Sequence, residues 1–289
     1  MKFLSGIVCF ITRLVRTAQI VRKCWKAGGI TQVNIAQVRQ GEILKGKRML
    51  ITGGSAGIGL AIAKKCLAEG ATVVITGRSE SRLQTAVSEV NNAALKVLAW
   101  NVSDVSQRKT KFAAALALAG GRIDILVNNA GILGGHRQFL DATEKNWDEI
   151  AAVNARGLFF LTQHVVQEWL ALKQGGKIIN MSSMRGSLGV QDGPYGMSKW
   201  GVNGLTHGLG LKLAPHGIIV NGIAPGIVDT ESIAIEIDSN DNAYLGDIPV
   251  QRIGRPEEIA ELAVFLMSDA ANYIVGQTII CDGGYTLKV

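Results

Sequence analysis

Eight residues constrain the rest of the chain most: Thr52-Gly53-Gly54-Ser55-Ala56-Gly57-Ile58-Gly59. They follow a short apolar run, Arg48 to Thr52, and open a helical pattern from Ile58 to Glu69 that Gly70 stops. A glycine-rich turn from strand to helix lets backbone N–H groups and the positive helix end approach a pyrophosphate. Glycines also serve tight turns that bind nothing. The context favours the phosphate-binding reading here, because strand precedes, helix follows and the alternation continues.

That alternation sets the fold class. After the turn, Thr72 to Thr76 is a β-branched run. Further strands are expected at Leu95–Trp100, Ile125–Asn128, Lys177–Met181, Ile218–Asn221 and Thr278–Cys281. Helical patterns lie near Ser81–Asn91, Ser106–Ala119, Trp147–Leu172, Ser198–Ala214 and Pro256–Ser268. Strands that alternate with helices build a parallel sheet covered on both faces. The 289 residues suffice for one large α/β domain, although length alone also admits two small ones. No internal repeat or low-complexity tract is present.

Charge separates the N-terminus from this body. Ten of the 30 Lys/Arg fall in residues 1–48, where Glu42 is the single acid. The other 20 bases and 22 acids nearly cancel, and a near-neutral body argues against a nucleic-acid face there. In residues 3–25, Leu4, Ile7, Val8, Ile11, Leu14, Val15, Ala18, Val21 and Trp25 recur with a helical period, with Arg13, Arg16, Arg22 and Lys23 mostly between them. The apolar stretch before Arg13 is too short to span a bilayer. Lys2 and the following run resemble a signal peptide, but Arg13 and Arg16 stand where a cleavage site belongs. Two readings stay open for residues 3–26: a basic amphipathic helix in peripheral contact with an anionic membrane, or a helix docked on the chain's own body or a sister subunit. Residues 27–45 read as a linker or a second short helix. The division expected is therefore an N-terminal basic amphipathic extension over 1–43 and a main domain over 44–289. Cys9, Cys24, Cys66 and Cys281 show no metal-ligand spacing, and such unpaired cysteines suit the reducing cytoplasm.

The second strand ends at Thr76-Gly77-Arg78. Proteins that hold the ribose hydroxyls of NAD carry an acid near this point, whereas an Arg can hold the 2′-phosphate of NADP. Gly77 offers no carboxylate and Arg78 offers a guanidinium, so NADP is favoured over NAD. A solvated Arg at a loop start is the plainer alternative.

Tyr195-Gly196-Met197-Ser198-Lys199 lies where the chain passes into a helix. Tyr and Lys four apart share a helix face, and an ammonium favours the phenolate. Such a Tyr can give a proton to a carbonyl oxygen or take one from an alcohol. The pair alone occurs often by chance. Ser182-Ser183 after a strand, Asn128-Asn129-Ala130-Gly131 at the end of the fourth strand, and Asn154 inside a helical pattern raise its weight. With the glycine turn and Asn221-Gly222-Ile223-Ala224-Pro225-Gly226, these motifs, in this order, resemble the short-chain dehydrogenase/reductase family from about Leu44 to the C-terminus, particularly its 3-oxoacyl reductase-like members.

The resemblance implies a single doubly wound Rossmann-like domain with a seven-stranded parallel sheet in the order 3-2-1-4-5-6-7, and a homotetramer or dimer. It implies hydride transfer between a nicotinamide and a small-molecule ketone or secondary alcohol. Tyr195 is the implied general acid/base. Lys199 would bind the nicotinamide ribose and favour the phenolate. Ser183, rather than Ser182, would hold the substrate oxygen, and Asn154 would position a water linking Lys199 to solvent. Gly53, Ser55, Gly57, Ile58, Gly59 and Arg78 would hold the phosphates. Asn129, Ala130 and Gly131 would pack on the cofactor. Pro225, Gly226 and Thr230 would border the nicotinamide, with Val228 contributing its backbone. Asn101-Val102 stands where the family often has Asp-Val to meet the adenine; the amide oxygen can still accept from the adenine amino group, so a changed contact with little loss is expected, and the extension before residue 44 has no family counterpart.

Three functions remain distinct: an NADP(H)-linked ketone reductase, a NAD-linked sugar, polyol or steroid alcohol dehydrogenase, and a non-catalytic nucleotide sensor. The Asn154, Ser183, Tyr195, Lys199 set speaks against the last. His136, His164, His207 and His216 lack ligand spacing, and no metal is expected. Trp100, Trp147, Trp169 and Trp200 are expected in the core. His136 and Arg137 read as solvated loop residues. The polar stretch around Asp238 and Asp241 reads as a lid.

Overall fold

The computed structural model describes residues 41–134, 139–188, 193–230 and 246–288. The expected helix over 3–26, the linker up to residue 40, His136, Arg137 and the lid around Asp238 and Asp241 lie outside the described residues.

Seven strands form one parallel sheet: β1 (Arg48–Thr52), β2 (Thr72–Gly77), β3 (Leu95–Ala99), β4 (Ile125–Asn128), β5 (Gly176–Met181), β6 (Ile218–Pro225) and β7 (Thr278–Cys281). Their order is β3-β2-β1-β4-β5-β6-β7, as expected. The helices are α1 (Gly57–Ala68), α2 (Glu80–Val90), α3 (Arg108–Leu118), α4 (Glu144–Ile150), α5 (Leu158–Ala171), α6 (Pro194–Leu213) and α7 (Pro256–Met267).

Alternating side chains feed two cores. Met49, Ile51, Val73, Ile75 and Val127 meet Ile62 and Cys66 of α1, Leu83 of α2 and Val264 of α7. Leu50, Val74, Leu126 and Ile178 meet Phe112 of α3, Leu161 and Trp169 of α5 and Leu213 of α6 on the opposite face. Burial on both faces explains why the strands read as unbroken apolar runs rather than alternating ones.

Three details differ from the sequence expectation. The single helix expected over Trp147–Leu172 is interrupted by a π-helical stretch, Ala151–Gly157, between α4 and α5. Wide turns of this kind re-aim side chains inside helices, and Asn154 sits in its middle. β6 runs on past Asn221 to Pro225. Asn and Gly are poor strand formers, but here Asn221 Nδ2 donates to the Ile274 carbonyl (2.6 Å) and its Oδ1 accepts from Gln277 N (3.0 Å), so tertiary contacts override propensity. Of the four tryptophans expected in the core, Trp100 and Trp169 are buried, whereas Trp147 and Trp200 are 42% and 50% exposed. Trp169 keeps its ring buried by donating Nε1–H to the Ile123 carbonyl (2.7 Å). His164 is a packing histidine: its ring meets Phe112 edge-on at 4.7 Å, and burial lowers its pKa.

A ladder of neutral polar groups runs through the sheet. Asn128 Nδ2 donates to Thr162 Oγ1 (2.8 Å) and to Asn180 Oδ1 (2.9 Å). Asn180 Nδ2 donates to Thr206 Oγ1 (2.9 Å), whose own hydroxyl donates to the Val202 carbonyl (2.8 Å). This ladder joins β4 and β5 to α5 and α6. Because all strands are parallel, their carboxyl ends share one edge. The order reverses between β1 and β4, the place where such sheets open a crevice.

Candidate active site

The glycine turn between β1 and α1 is shaped by close approach. Gly53 has φ +65°. A Cβ on Gly59 would lie 2.3 Å from the Gly53 carbonyl oxygen, so no side chain fits there. Asn129 Nδ2 donates to the carbonyls of Thr52 (3.0 Å) and Gly53 (2.8 Å). In return Thr52 Oγ1 accepts from Asn129 N and Ala130 N, both at 3.1 Å. The ends of β1 and β4 are thus tied together across the crevice.

The turn fits an anion on direct grounds. Helices α2 and α4 are capped by Ser79 and Thr143, whose hydroxyls accept from Arg82 N (3.3 Å) and Asn146 N (3.1 Å). Helix α1 has Ala56 at its N-cap, no side-chain cap and no acid in its first turn. Its leading N–H groups have no side-chain cap, and the helix dipole there favours negative charge. The Thr230 methyl lies 3.2 Å from where a Cβ on Gly57 would be, bringing the segment after β6 over the turn. Ser55 Oγ abuts Gly77, 3.1 Å from where a Cβ would sit, and the exposed Arg78 follows directly. Ile58 packs its side chain against the core, leaving its backbone to the turn.

Asn101 stands in a local turn after β3. Its Oδ1 accepts from Ser103 N (3.2 Å) and Ser103 Oγ (2.9 Å), an Asx turn. Val102 beside it is buried.

Helix α6 carries the Tyr195–Lys199 pair. Gly193 caps it, Pro194 takes the first helical position and Tyr195 stands in the first turn, earlier than the expected start near Ser198. Lys199 lies one turn on, with Nζ 5.5 Å from the Tyr195 ring centre. That ammonium is only 5% exposed and donates to the Met181 carbonyl at the end of β5 (2.9 Å). No carboxylate among the described residues pairs with it, and burial pushes its pKa down to about 8.

Asn154 Oδ1 accepts from Ile132 N (2.9 Å), while its Nδ2 donates to Ile132 O (2.9 Å) and Ser198 Oγ (3.2 Å). It fastens the chain after β4 to α6. Gly131 lies between Asn154 Oδ1 and Lys199 Nζ, which a Cβ there would approach to 3.4 and 3.5 Å. After β5, Ser182 Oγ donates to the Lys199 carbonyl (3.3 Å), turned toward the helix backbone. Ser183 Oγ accepts from Arg185 N (3.2 Å) at the head of the turn Met184–Gly186. The Arg185 guanidinium stands 6.0 Å from the Tyr195 ring centre. On the remaining side, Gly226 N donates to Cys281 O (2.9 Å) after Pro225, and Val228 bridges to Gly254 with its side chain buried.

The carboxyl edge of the sheet therefore gathers Asn154, Ser183, Tyr195 and Lys199 beside the turn of Gly53, Ser55, Gly57 and Gly59, with Asn129, Ala130, Gly131 and Thr230 between. Sequence reading missed Thr52, Ser198, Met181 and Arg185 as parts of the site. The first two lie inside motifs already quoted, so their polar side chains were the available signal. Met181 acts through its backbone, which no side-chain identity announces. A phenol beside a buried, unneutralised ammonium can exchange a proton with an oxygen held by Ser183.

Comparison with known proteins agrees with this geometry. A family model described as Enoyl-(Acyl carrier protein) reductase matches residues 53–286. The 3-oxoacyl-[acyl-carrier-protein] reductase FabG of Aquifex aeolicus is 37% identical over 245 residues, covering 83% of this chain and 98% of that protein. Dehydrogenase/reductase SDR family member 4 of Sus scrofa is 33% identical over 271 residues, covering 92% and 96%. A crystal structure from Agrobacterium tumefaciens, provisionally described as a 2-deoxy-D-gluconate 3-dehydrogenase with bound NADP, is 35% identical with a TM-score of 0.75, covering 84% of this chain and 98% of that one.

Proposed function

The chain belongs to the short-chain dehydrogenase/reductase family of oxidoreductases acting on CH–OH and C=O groups, and from that premise we propose that it is an NADP(H)-dependent enzyme for a ketone or secondary alcohol, with Tyr195 as general acid and base. The observation that carries this reading is Lys199: a nearly dry ammonium without a carboxylate partner among the described residues, aimed at the Tyr195 ring. A buried cation so placed stabilises negative charge on the phenol and suits the hydroxyls of a ribose. The nicotinamide cofactor supplies the hydride donor or acceptor. Gly53, Ser55, Gly57, Ile58, Gly59 and Arg78 would hold its phosphates, and Pro225, Gly226, Thr230 and the Val228 backbone would border its nicotinamide end.

The chain's own steps are protonic and geometric. Ser183 donates its hydroxyl to the substrate oxygen. In reduction Tyr195 gives that oxygen a proton; in oxidation it removes one. Lys199 stabilises the phenolate left or used, and Asn154 holds the ground beside it, where a water would connect Lys199 to solvent. A panel of ketones and secondary alcohols with NADPH/NADP and NADH/NAD, followed by nicotinamide absorbance, tests the reading. Tight cofactor binding with no turnover anywhere in the panel would favour a sensor instead.

Three observations support NADP over NAD: Gly77 without a carboxylate, the exposed Arg78 after it, and the NADP bound by the 35% identical relative. Replacing Arg78 by Ala is expected to raise the KM for NADPH by about 10- to 100-fold, the range of one charge-assisted contact, and to change that for NADH little. Equal changes for both cofactors would remove Arg78 from the phosphate. The NAD-linked sugar, polyol or steroid dehydrogenase reading would then stand.

We infer a homotetramer or dimer from the apolar side chains left exposed on α5 and α6: Phe159, Phe160, Met197, Trp200 and Leu211, the last 77% exposed. Light scattering should give a molar mass of at least twice the chain's 30.7 kDa, and Leu211→Glu should lower it. The main domain is taken to start at residue 44, because Leu44 is fully buried while Gly41 and Glu42 are exposed. For residues 3–26 the membrane-surface and subunit-docking readings both stand on the basic amphipathic pattern. A cytoplasmic location rests on the unpaired thiols, Cys66 and Cys281 among the described residues.

A further inference from the structure

We propose that Arg185 selects substrates that carry a carboxylate within a few bonds of the reacting carbonyl or carbinol carbon; this rests on the oxidoreductase reading above and names its substrate class. Arg185 sits two residues after Ser183, and its guanidinium faces the Tyr195 ring at 6.0 Å. An oxygen held jointly by Ser183 and Tyr195 would therefore present its neighbouring substituents to this cation.

Among the described residues the charge has no carboxylate partner. Arg252 and Lys65 are two other cations of the described residues that have carboxylate partners, whereas Arg108 stacks on Phe160 and Lys177 donates to the Ser268 carbonyl. Arg252 grips Glu258 with both terminal nitrogens (2.8 and 2.7 Å), and Lys65 lies between Glu69 (3.1 Å) and Glu261 (3.0 Å). No carboxylate among the described residues lies within ion-pair distance of Arg185. Lys199, the other cation of the cleft, also lacks one. The described residues around the reacting atoms thus carry an excess of positive charge, which favours an anionic substrate.

The ring contact does not use up the guanidinium. At 6.0 Å it is at the outer limit of cation–π attraction, and such stacking engages only the flat face. The N–H donors lie in the guanidinium plane, where they match the two oxygens of a carboxylate. Lys199 is turned to the Met181 carbonyl and the Tyr195 ring, which leaves the single charge of Arg185 for the substituent and favours a carboxylate over a doubly charged phosphate.

The root of the side chain is also fixed in advance. Arg185 N donates to Ser183 Oγ, Gly186 N to Ser183 O (2.9 Å), and Asn203 Nδ2 of α6 to Gly186 O (2.9 Å). Met184 is buried beneath the turn. The turn that places the substrate-holding serine thereby places the cation too, and little backbone ordering remains to oppose binding.

The test uses the full-length protein with NADPH and matched probes: acetoacetate and 4-oxopentanoate, their methyl esters, and 2-oxopropylphosphonate. The wild type is expected to favour a carboxylate over its ester by about tenfold or more in kcat/KM. Arg185→Met should lower that ratio by about 10- to 100-fold, mainly through KM, and Arg185→Lys should fall between, keeping the charge without the fork. The wild-type preference should also shrink with rising salt. Reduction of esters as readily as acids, or a ratio unchanged in Arg185→Met, overturns this inference and leaves the oxidoreductase reading standing. A phosphonate preferred over the carboxylates overturns the carboxylate assignment. No reduction of any probe, with NADPH or with NADH, counts against both.

Discussion

Replacing Tyr195 by Phe is expected to cut turnover about a thousandfold, within the range for loss of a positioned general acid or base, while NADP binding stays within a few-fold. The ring remains in the first turn of α6 and only the transferable proton is lost. Stopped turnover with retained binding, the latter followed by quenching of protein fluorescence, separates chemistry from assembly. Turnover near the wild-type rate would remove Tyr195 from the proton path.

Lys199→Met is the companion variant, and its two effects should run in opposite directions. Activity should fall at least about a hundredfold, because the phenolate loses its stabilising charge. Stability should not fall. The folded-state pKa of Lys199 lies at about 8, below the ordinary 10.5. Between those values the unfolded chain holds a proton that the folded chain has released, so stability rises with pH across this window. Below about pH 8 the folded chain carries the full cost of a buried ammonium. Lys199→Met is therefore expected to melt at or above the wild-type temperature at pH 7, with any gap closing toward pH 10. A marked drop in melting temperature at pH 7 would show that the bond to the Met181 carbonyl outweighs the burial cost.

Gly59→Ala is expected to have the second large effect, through cofactor binding. In an open helix this substitution usually gains up to about 1 kcal/mol. Here the added carbon would lie 2.3 Å from the Gly53 carbonyl oxygen and 2.5 Å from Asn129 Nδ2. Neither is the loose end of a flexible side chain: one is backbone, the other is held by two hydrogen bonds. Relief requires opening the turn, at a cost of about 1–3 kcal/mol, the usual range for overpacking. The affinity for NADP should fall at least about tenfold, with a lower melting temperature. Unchanged affinity would mean that the phosphates do not depend on this turn.

Much of the framework was legible in the chain before any coordinates. Apolar runs separated by helical periods carried the strand count, and the family resemblance implied the sheet order. Strand–turn–helix context located the glycine turn. The unread parts have two causes: a weak local pattern, or neighbours distant in sequence. The π-helical stretch around Asn154 has no periodic signature strong enough to break the pattern from Trp147 to Leu172. The last half of β6 looked like a loop because Asn221 and Gly222 disfavour strands in isolation. Trp200 lies in a helix of low amphipathic contrast, so its exposure could not be read from spacing. Arg185 looked like an ordinary turn residue until β5 and α6 brought it to Tyr195.

The polar ladder and the fastenings of α6 have one more consequence. Asn128, Asn180, Thr206, Asn154, Ser198, Ser182 and Asn203 hold the helix of Tyr195 and Lys199 against the sheet, and none of them ionises near neutral pH. The scaffold is electrically silent. Changes of salt or acidity can alter the charges in the cleft without loosening what aims them, so a pH profile of this enzyme should report its reacting groups rather than the frame around them.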